Sequence, residues 1–532
     1  MKRFYNSAAN CLLTILVLCW AIPGVAEDAR WNYNPSAAEN QLLSKRHAAA
    51  APEACETIVK NGKVLTSCGI GEAIRYRLIE GSILIDECTI CGRPPLIVPI
   101  RGSFWLELTE QNPLFSSFLV RGLTFTDTTG ELEYTGQMEG TYQIGGEVVI
   151  IQQMTLKGRI NNFEGLMFNN KVATTQVPFP WIEIDLLQVP PTDPLHTFSI
   201  HLVAVPWPRV LFSTETGFTS SARGMIHISN GDLLSSSGRV VRTNSELTAR
   251  LGITPPVPDI GLDAVSVLPG SPPPLPGEDW RPCEILFSVE QNIFSERLGL
   301  LSNGDLLSSG GWIVRRNSDL IGPFAPQTPV EDYGLDAVAM SPEGLILFSI
   351  EEDFFSKSLG MSVGHGDLLR EDGIIFKSGS ELLAKFHPIE PRPIPFGLDA
   401  VYVWPNGEVW FSIEVDFADM YLGSIGHGDI LSDIGRVVVR NKELIAPFKP
   451  LEKITDFGLD SLEVIWPSLA ADFDYDGNVD FADLAIFASA WMSKPGDAEW
   501  NPDCDISIPA DNSVDILDLA VLTEQWLKCV AP

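Results

Sequence analysis

The chain has 532 residues, too many for one compact core and enough for two to four domains. A hydrophobic fraction of 45% with 20% charged residues excludes a mainly disordered chain. The formal net charge of −33 would repel a phosphate backbone, which argues against nucleic acid as a partner and favours divalent cations.

Met1 to Ala26 reads as a secretory signal peptide. Lys2 and Arg3 precede the apolar run Cys11 to Ile22, and small residues follow up to Ala26. The run is shorter than a bilayer span, so the expected chain is exported, secreted or held at the cell surface. Export makes disulfides the default use of cysteine. Cys55, Cys68, Cys88 and Cys91 are candidates for two bridges, and Cys504 with Cys529 for a third. A four-thiolate zinc site is the alternative for the first four, although only Cys88-Thr89-Ile90-Cys91 has the spacing of a zinc knuckle. Residues 27–52, polar and Ala-rich, read as a linker.

Residues 53–204 read as a β-rich domain of unknown function, an antiparallel sandwich or barrel. Tyr76 to Ile79, Ser103 to Leu108 and Phe118 to Phe125 carry strand patterns, and Gly145-Gly146 is expected to turn a hairpin into Glu147 to Ile151. No nucleophile–base pair, phosphate loop or recognisable pair of catalytic acids stands out here.

Residues 205–466 contain four copies of one unit. Leu211-Phe212-Ser213-Thr214-Glu215 returns ending in Glu290, Glu351 and Glu414. Gly231-Asp232 returns at Asp305, Asp367 and Asp429, and Gly261-Leu262-Asp263 at Asp336, Asp399 and Asp460. Each unit reads as four short strands with an Asn at the start of one helical turn, as at Asn244, Asn317 and Asn441. Pro405-Asn406-Gly407 reads as a hairpin turn with positive φ at both Asn and Gly. The expected architecture is a four-bladed β-propeller-like ring completed by the strand Leu459 to Ile465; a linear stack is the alternative. The repeated Glu and Gly-Asp acids are read as turn caps, the alternative being a carboxylate ring that lines a channel and binds calcium. His365 and His427, where earlier units have Asn, are read as turn positions tolerating positive φ.

The tail, residues 469–532, carries the most specific chemistry. Asp472, Asp474, Asp476, Asn478 (through its carbonyl), Asp480 and Asp483 occupy positions 1, 3, 5, 7, 9 and 12 of a calcium loop with Gly477 at the bend. Leu484, Phe487, Ala488 and Trp491 follow as one helix face. About 35 residues on, the pattern repeats in Asp503, Asp505, Asp511, Ser513, Asp515 and Asp518, with four extra residues and no Gly at the bend. This duplicated loop–helix resembles type I dockerin domains. The resemblance implies a small all-α module with two F-hand-like calcium sites that docks onto a cohesin-like domain of a scaffold or cell-surface protein. Phe481-Ala482 and Ile516-Leu517 stand where well-known members carry Ser-Thr recognition pairs, which implies a partner of different specificity.

Two functions follow as expectations. The first is a secreted, non-catalytic binding protein assembled through its tail, with a glycan as a possible ligand. The second is a polysaccharide-acting hydrolase delivered by the same tail, which requires a pair of carboxylates ~5 to 9.5 Å apart in a cleft.

Overall fold

The computed structural model describes residues 56–60, 63–67 and 73–526, except 113, 130–133, 147–148, 171–172, 175–176, 178, 192, 208, 223–224, 237, 258, 268–284, 329–331, 342, 390–395, 455, 466–470, 474–478, 480, 495–496, 498–500, 502–503 and 508–512. The expected signal peptide, the linker, Cys55, Cys68 and Cys529 lie outside the described residues. The described chain is mainly β.

After a hairpin of Glu56–Lys60 with Lys63–Ser67, a ten-stranded antiparallel sheet closes on itself. Leu96–Gln111, Phe115–Asp127, Thr135–Gly145 and Ile151–Ile160 form a meander. Ile151–Ile160 pairs onward with Phe163–Asn169, which pairs with Ile182–Gln188, which pairs with Thr197–Pro206. Ala73–Leu78 and Ile83–Glu87 share the place between Thr197–Pro206 and Leu96–Gln111. The circuit of pairs returns to its start, which removes the sheet edges. Of the two expected architectures, the barrel is the one that forms. Alternation fills it: Ile182, Ile184 and Leu186 point inward and pack with Phe104, Phe125 and Phe168. At the expected two-glycine hairpin the second strand begins only at Ile151, paired with Gly145, so the connection is a longer loop.

The four repeats form four four-stranded blades. The innermost strands are Val265–Val267, Val338–Met340, Leu398–Val403 and Ser461–Ile465, and each of these packs beside the next around a closed ring. Ser461–Ile465 pairs with Arg209–Ser213, so the last strand of the region completes the first blade. This closure joins the two ends of the repeat region through one blade. The units hold more than four strands. Each inserts a two-stranded hairpin, such as Phe417–Asp419 with Gly423–Ile425, between its second and third blade strands. Each hairpin also bridges the preceding blade, and Ser220↔Pro450 fastens the ring a second time between last and first units.

The expected Asn caps are corrected. Thr243, Arg316 and Arg440 occupy the N-cap position, and Asn244, Asn317 and Asn441 are the first helical residues. Their side chains act as staples. Asn441 Nδ2 donates to Gly428 O (3.3 Å) and Gly458 O (3.0 Å), while Oδ1 accepts from Phe457 N–H (3.0 Å). Of Asn406 and Gly407, only Gly407 has positive φ (+86°). Gly407 N–H closes the turn onto Trp404 O, and Pro405 presets a negative φ within it.

Barrel and propeller share a core: Ile79, Trp181, Val203 and Val205 pack with Val210, Phe212 and Trp410. Polar ties reinforce this contact. Arg77 pairs with Glu443 (2.6 Å), Arg440 with Glu80 (2.7 Å) and Arg436 with Glu183 (2.7 Å). Trp181 Nε1 donates to the buried Glu408 carboxylate, which also accepts from Trp410 Nε1 and Ser432 Oγ.

Candidate functional site

The Gly-Asp aspartates are structural, as expected. Asp429 accepts Asn441 N–H (2.9 Å) and Gly426 N–H (3.0 Å), and Asp232, Asp305 and Asp367 make the same two bonds in their units. These bonds tie the turn before each aspartate to the first residue of the helical turn that follows.

A different set of acids converges at the propeller axis. Asp263, Asp336, Asp399 and Asp460 of the Gly-Leu-Asp phrase stand at the entry of the four inner strands. Asn staples position three of these loops, Gly379 replacing the Asn in the third unit, and a serine of the preceding blade positions all four. Ser213, Ser288, Ser349 and Ser412 donate from Oγ to the carbonyls of Leu262, Leu335, Leu398 and Leu459, at 2.9 to 3.0 Å. Each aspartate leaves one buried oxygen, Oδ2, without a hydrogen-bond partner. Burial pushes all four carboxyls well above the usual range, and neighbouring carboxylates push them further.

Above the aspartates stand Glu215, Glu290, Glu351 and Glu414, exposed at the rim. Gly261, Gly334, Gly397 and Gly458 let them lie close, because a Cβ at any of the four would collide with the Glu carboxylate. Asn230 and Asn303 hold Glu290 (2.6 Å) and Glu351 (2.9 Å) from the preceding blade. His427 reaches Glu215 in the same way, with Nε2 at 3.7 Å. His427 and His365 both stand in turns, as expected, but neither adopts positive φ. They instead pair through Nδ1 with Asp416 and Asp353, both at 2.7 Å. Burial works against charge on His427, yet Asp416, Asp456 and Glu215 raise its pKa overall.

Two groups have metal-ligating geometry among the described residues. Glu215, Asp399 and Asp460 each bring an oxygen within 4.8 Å of the others, as do ligand atoms of Asp416, His427 and Asp456. In the sequence Asp263, Asp336, Asp399 and Asp460 stand only as a repeated phrase, and nothing in it marks them as a cluster. The available signal was an acid recurring between residues that read as buried.

In the tail, Asp474, Asp476, Asn478, Asp480, Asp503 and Asp511 lie outside the described residues. Positions 1 and 12 of the first loop, Asp472 and Asp483, are both fully buried, and Asp483 accepts Phe473 N–H. In the second, Asp518 is equally buried and accepts Ile506 and Ser507 N–H, both at 2.7 Å. Asp515 caps the second helix by accepting Leu517 N–H (2.8 Å), and Asp505 and Ser513 are half-buried. The segment just after the first helix pairs with the second loop, where Met492 N–H donates to Val514 O and Val514 N–H donates to Ser493 O. The helices span Phe481–Ala490 and Ile516–Gln525. Leu484, Phe487 and Trp491 of the expected face pack in the tail core with Ile486, Ala490 and Leu522, whereas Ala488 is exposed. Phe481 (66% exposed), Ile516 (64%) and Leu517 (55%) stand out from the two helix starts.

Cys88 and Cys91 form a disulfide, which removes these two from the zinc alternative. Cys504 is buried in the tail core, and its candidate partner Cys529 lies outside the described residues. Among the described residues no helix is long and apolar enough to cross a membrane. No protein-family model matches the chain, and a search of curated proteins finds no significant relative.

Proposed function

We propose that this is an exported, non-catalytic binding protein whose C-terminal module takes up calcium in two loops and docks onto a cohesin-like domain. The barrel and the propeller are the cargo so displayed. One observation carries this reading: the duplicated module exposes Phe481, Ile516 and Leu517 at its two helix starts, directly beside the buried loop-end residues Asp483 and Asp518. Soluble surfaces rarely spend large apolar side chains at symmetry-related places without a partner to cover them. Calcium bound between Asp472 and Asp483 would join the loop to the helix that begins at Phe481, so metal and docking surface are coupled. The Cys88–Cys91 disulfide supports an oxidising compartment.

The test is binding of the full chain to purified cohesin domains from its own organism, with calcium and with chelator. Binding is expected with calcium only, and Phe481→Glu with Ile516→Glu should abolish it. Calcium-independent tryptic cleavage of the tail, together with no cohesin binding, would overturn the reading.

A further inference from the structure

We propose that one hard divalent cation of the calcium class binds on the axis of the propeller between Glu215, Asp399 and Asp460, with Asp263 and Asp336 facing it from the other two blades. The four aspartates are contributed once per blade, and only closure of the ring brings Asp399 and Asp460 within reach of Glu215. Asp399, Asp460 and Asp263 are 6%, 7% and 9% exposed, and each of the four keeps a buried Oδ2 that no protein group satisfies. A buried, orphaned carboxylate oxygen is rare in folded proteins, and four around one axis call for a shared counter-ion. The charges acting on these aspartates are other carboxylates: Asp399, for instance, feels Asp336, Asp460, Glu215 and Glu414. The cation is the missing compensation.

The donor set selects the ion. All candidate ligands are oxygens, which suits calcium and disfavours metals that prefer nitrogen or sulfur. Calcium takes six to eight oxygens in adaptable geometry, and the rim supplies more than the four aspartates alone. Glu215 already brings an oxygen within 4.8 Å of Asp399 and Asp460. The exposed glutamates form a negatively charged mouth through which a cation would enter. This site is independent of the tail loops, and it gives the ring a metal-dependent lock at the point where all four blades meet.

The experiment separates the two kinds of site in the full chain. In a chain carrying Asp472→Ala and Asp503→Ala, equilibrium dialysis in micromolar calcium is expected to find one calcium retained per chain. Adding Asp399→Asn and Asp460→Asn should remove it while circular dichroism keeps its strand signal. If that fourfold variant does not fold, Asp263→Asn alone in the tail-disabled chain should weaken calcium binding at least tenfold. A tail-disabled chain that holds no calcium overturns the proposal, and so does undiminished calcium in the folded ring variant or an unchanged affinity in Asp263→Asn. Failure of the tail reading would show separately, as equal calcium content in the unmodified and tail-disabled chains.

Discussion

Glu463 offers a measurable consequence of how the propeller closes. It lies on the closing strand Ser461–Ile465 with 8% of its surface exposed, and its carboxylate accepts Val267 N–H (2.8 Å) and Val464 N–H (2.9 Å). Burial pushes its carboxyl from 4.5 up to about 7, opposed by those backbone bonds and by the Ser266 hydroxyl. A pKa higher in the folded chain than in the unfolded one means that folding takes up a proton between these values. The stabilisation is therefore fully present below pH 4.5 and is lost as pH rises through about 7. At 1.36 kcal/mol per pH unit the whole effect is about 3 kcal/mol. Glu463→Gln cannot ionise, and its amide can accept only one of the two N–H bonds. Near pH 4 it should be less stable than the parent by about 1 to 3 kcal/mol for the lost bond, and by pH 8 the difference should move in its favour by about 3 kcal/mol. Thermal melts of both full chains at fixed calcium across pH 4 to 8 give this as a difference, in which the other titrating groups cancel. Tyr402, the neighbouring titratable group, has its pKa raised by burial and stays neutral in this range. A difference that does not change with pH would refute the reasoning.

Other consequences follow from the same contacts. Trp181→Phe removes the Nε1 donor to buried Glu408 and should cost about 2 to 4 kcal/mol, read as a lowered melting temperature and as earlier proteolysis between barrel and propeller. Asn441→Ala deletes three hydrogen bonds that link successive loops and should cost about 2 to 4 kcal/mol by chemical denaturation. Asp483→Ala should abolish calcium binding in the first tail loop and Asp503→Ala should cost less, both measured by calorimetric titration of the full chain.

Much of this architecture was legible because repeats advertise themselves locally. The recurring phrases marked four units, and the strand left over at Leu459 to Ile465 marked where a ring would close. The acids of the proposed calcium loop in the tail stand out locally too, since they sit at fixed spacing within twelve residues. The hairpins inside each unit escaped notice because their strands are three residues long and mix exposed apolar side chains such as Phe294 and Phe355 with polar ones. Sandwich and barrel share the same alternation within each strand; the pairing of Ile151–Ile160 with Phe163–Asn169, and of that strand with Ile182–Gln188, decided between them. Asn441 looked like a helix cap because its type and position suit one, yet its partners Gly428 and Gly458 come from loops on either side. The aspartate ring shows the limit most clearly. Asp263 and Asp460 are far apart along the chain, and each alone reads as one acid in a short apolar strand. Only closure brings the four carboxylates to one axis and strips their water, so their chemistry belongs to the tertiary structure.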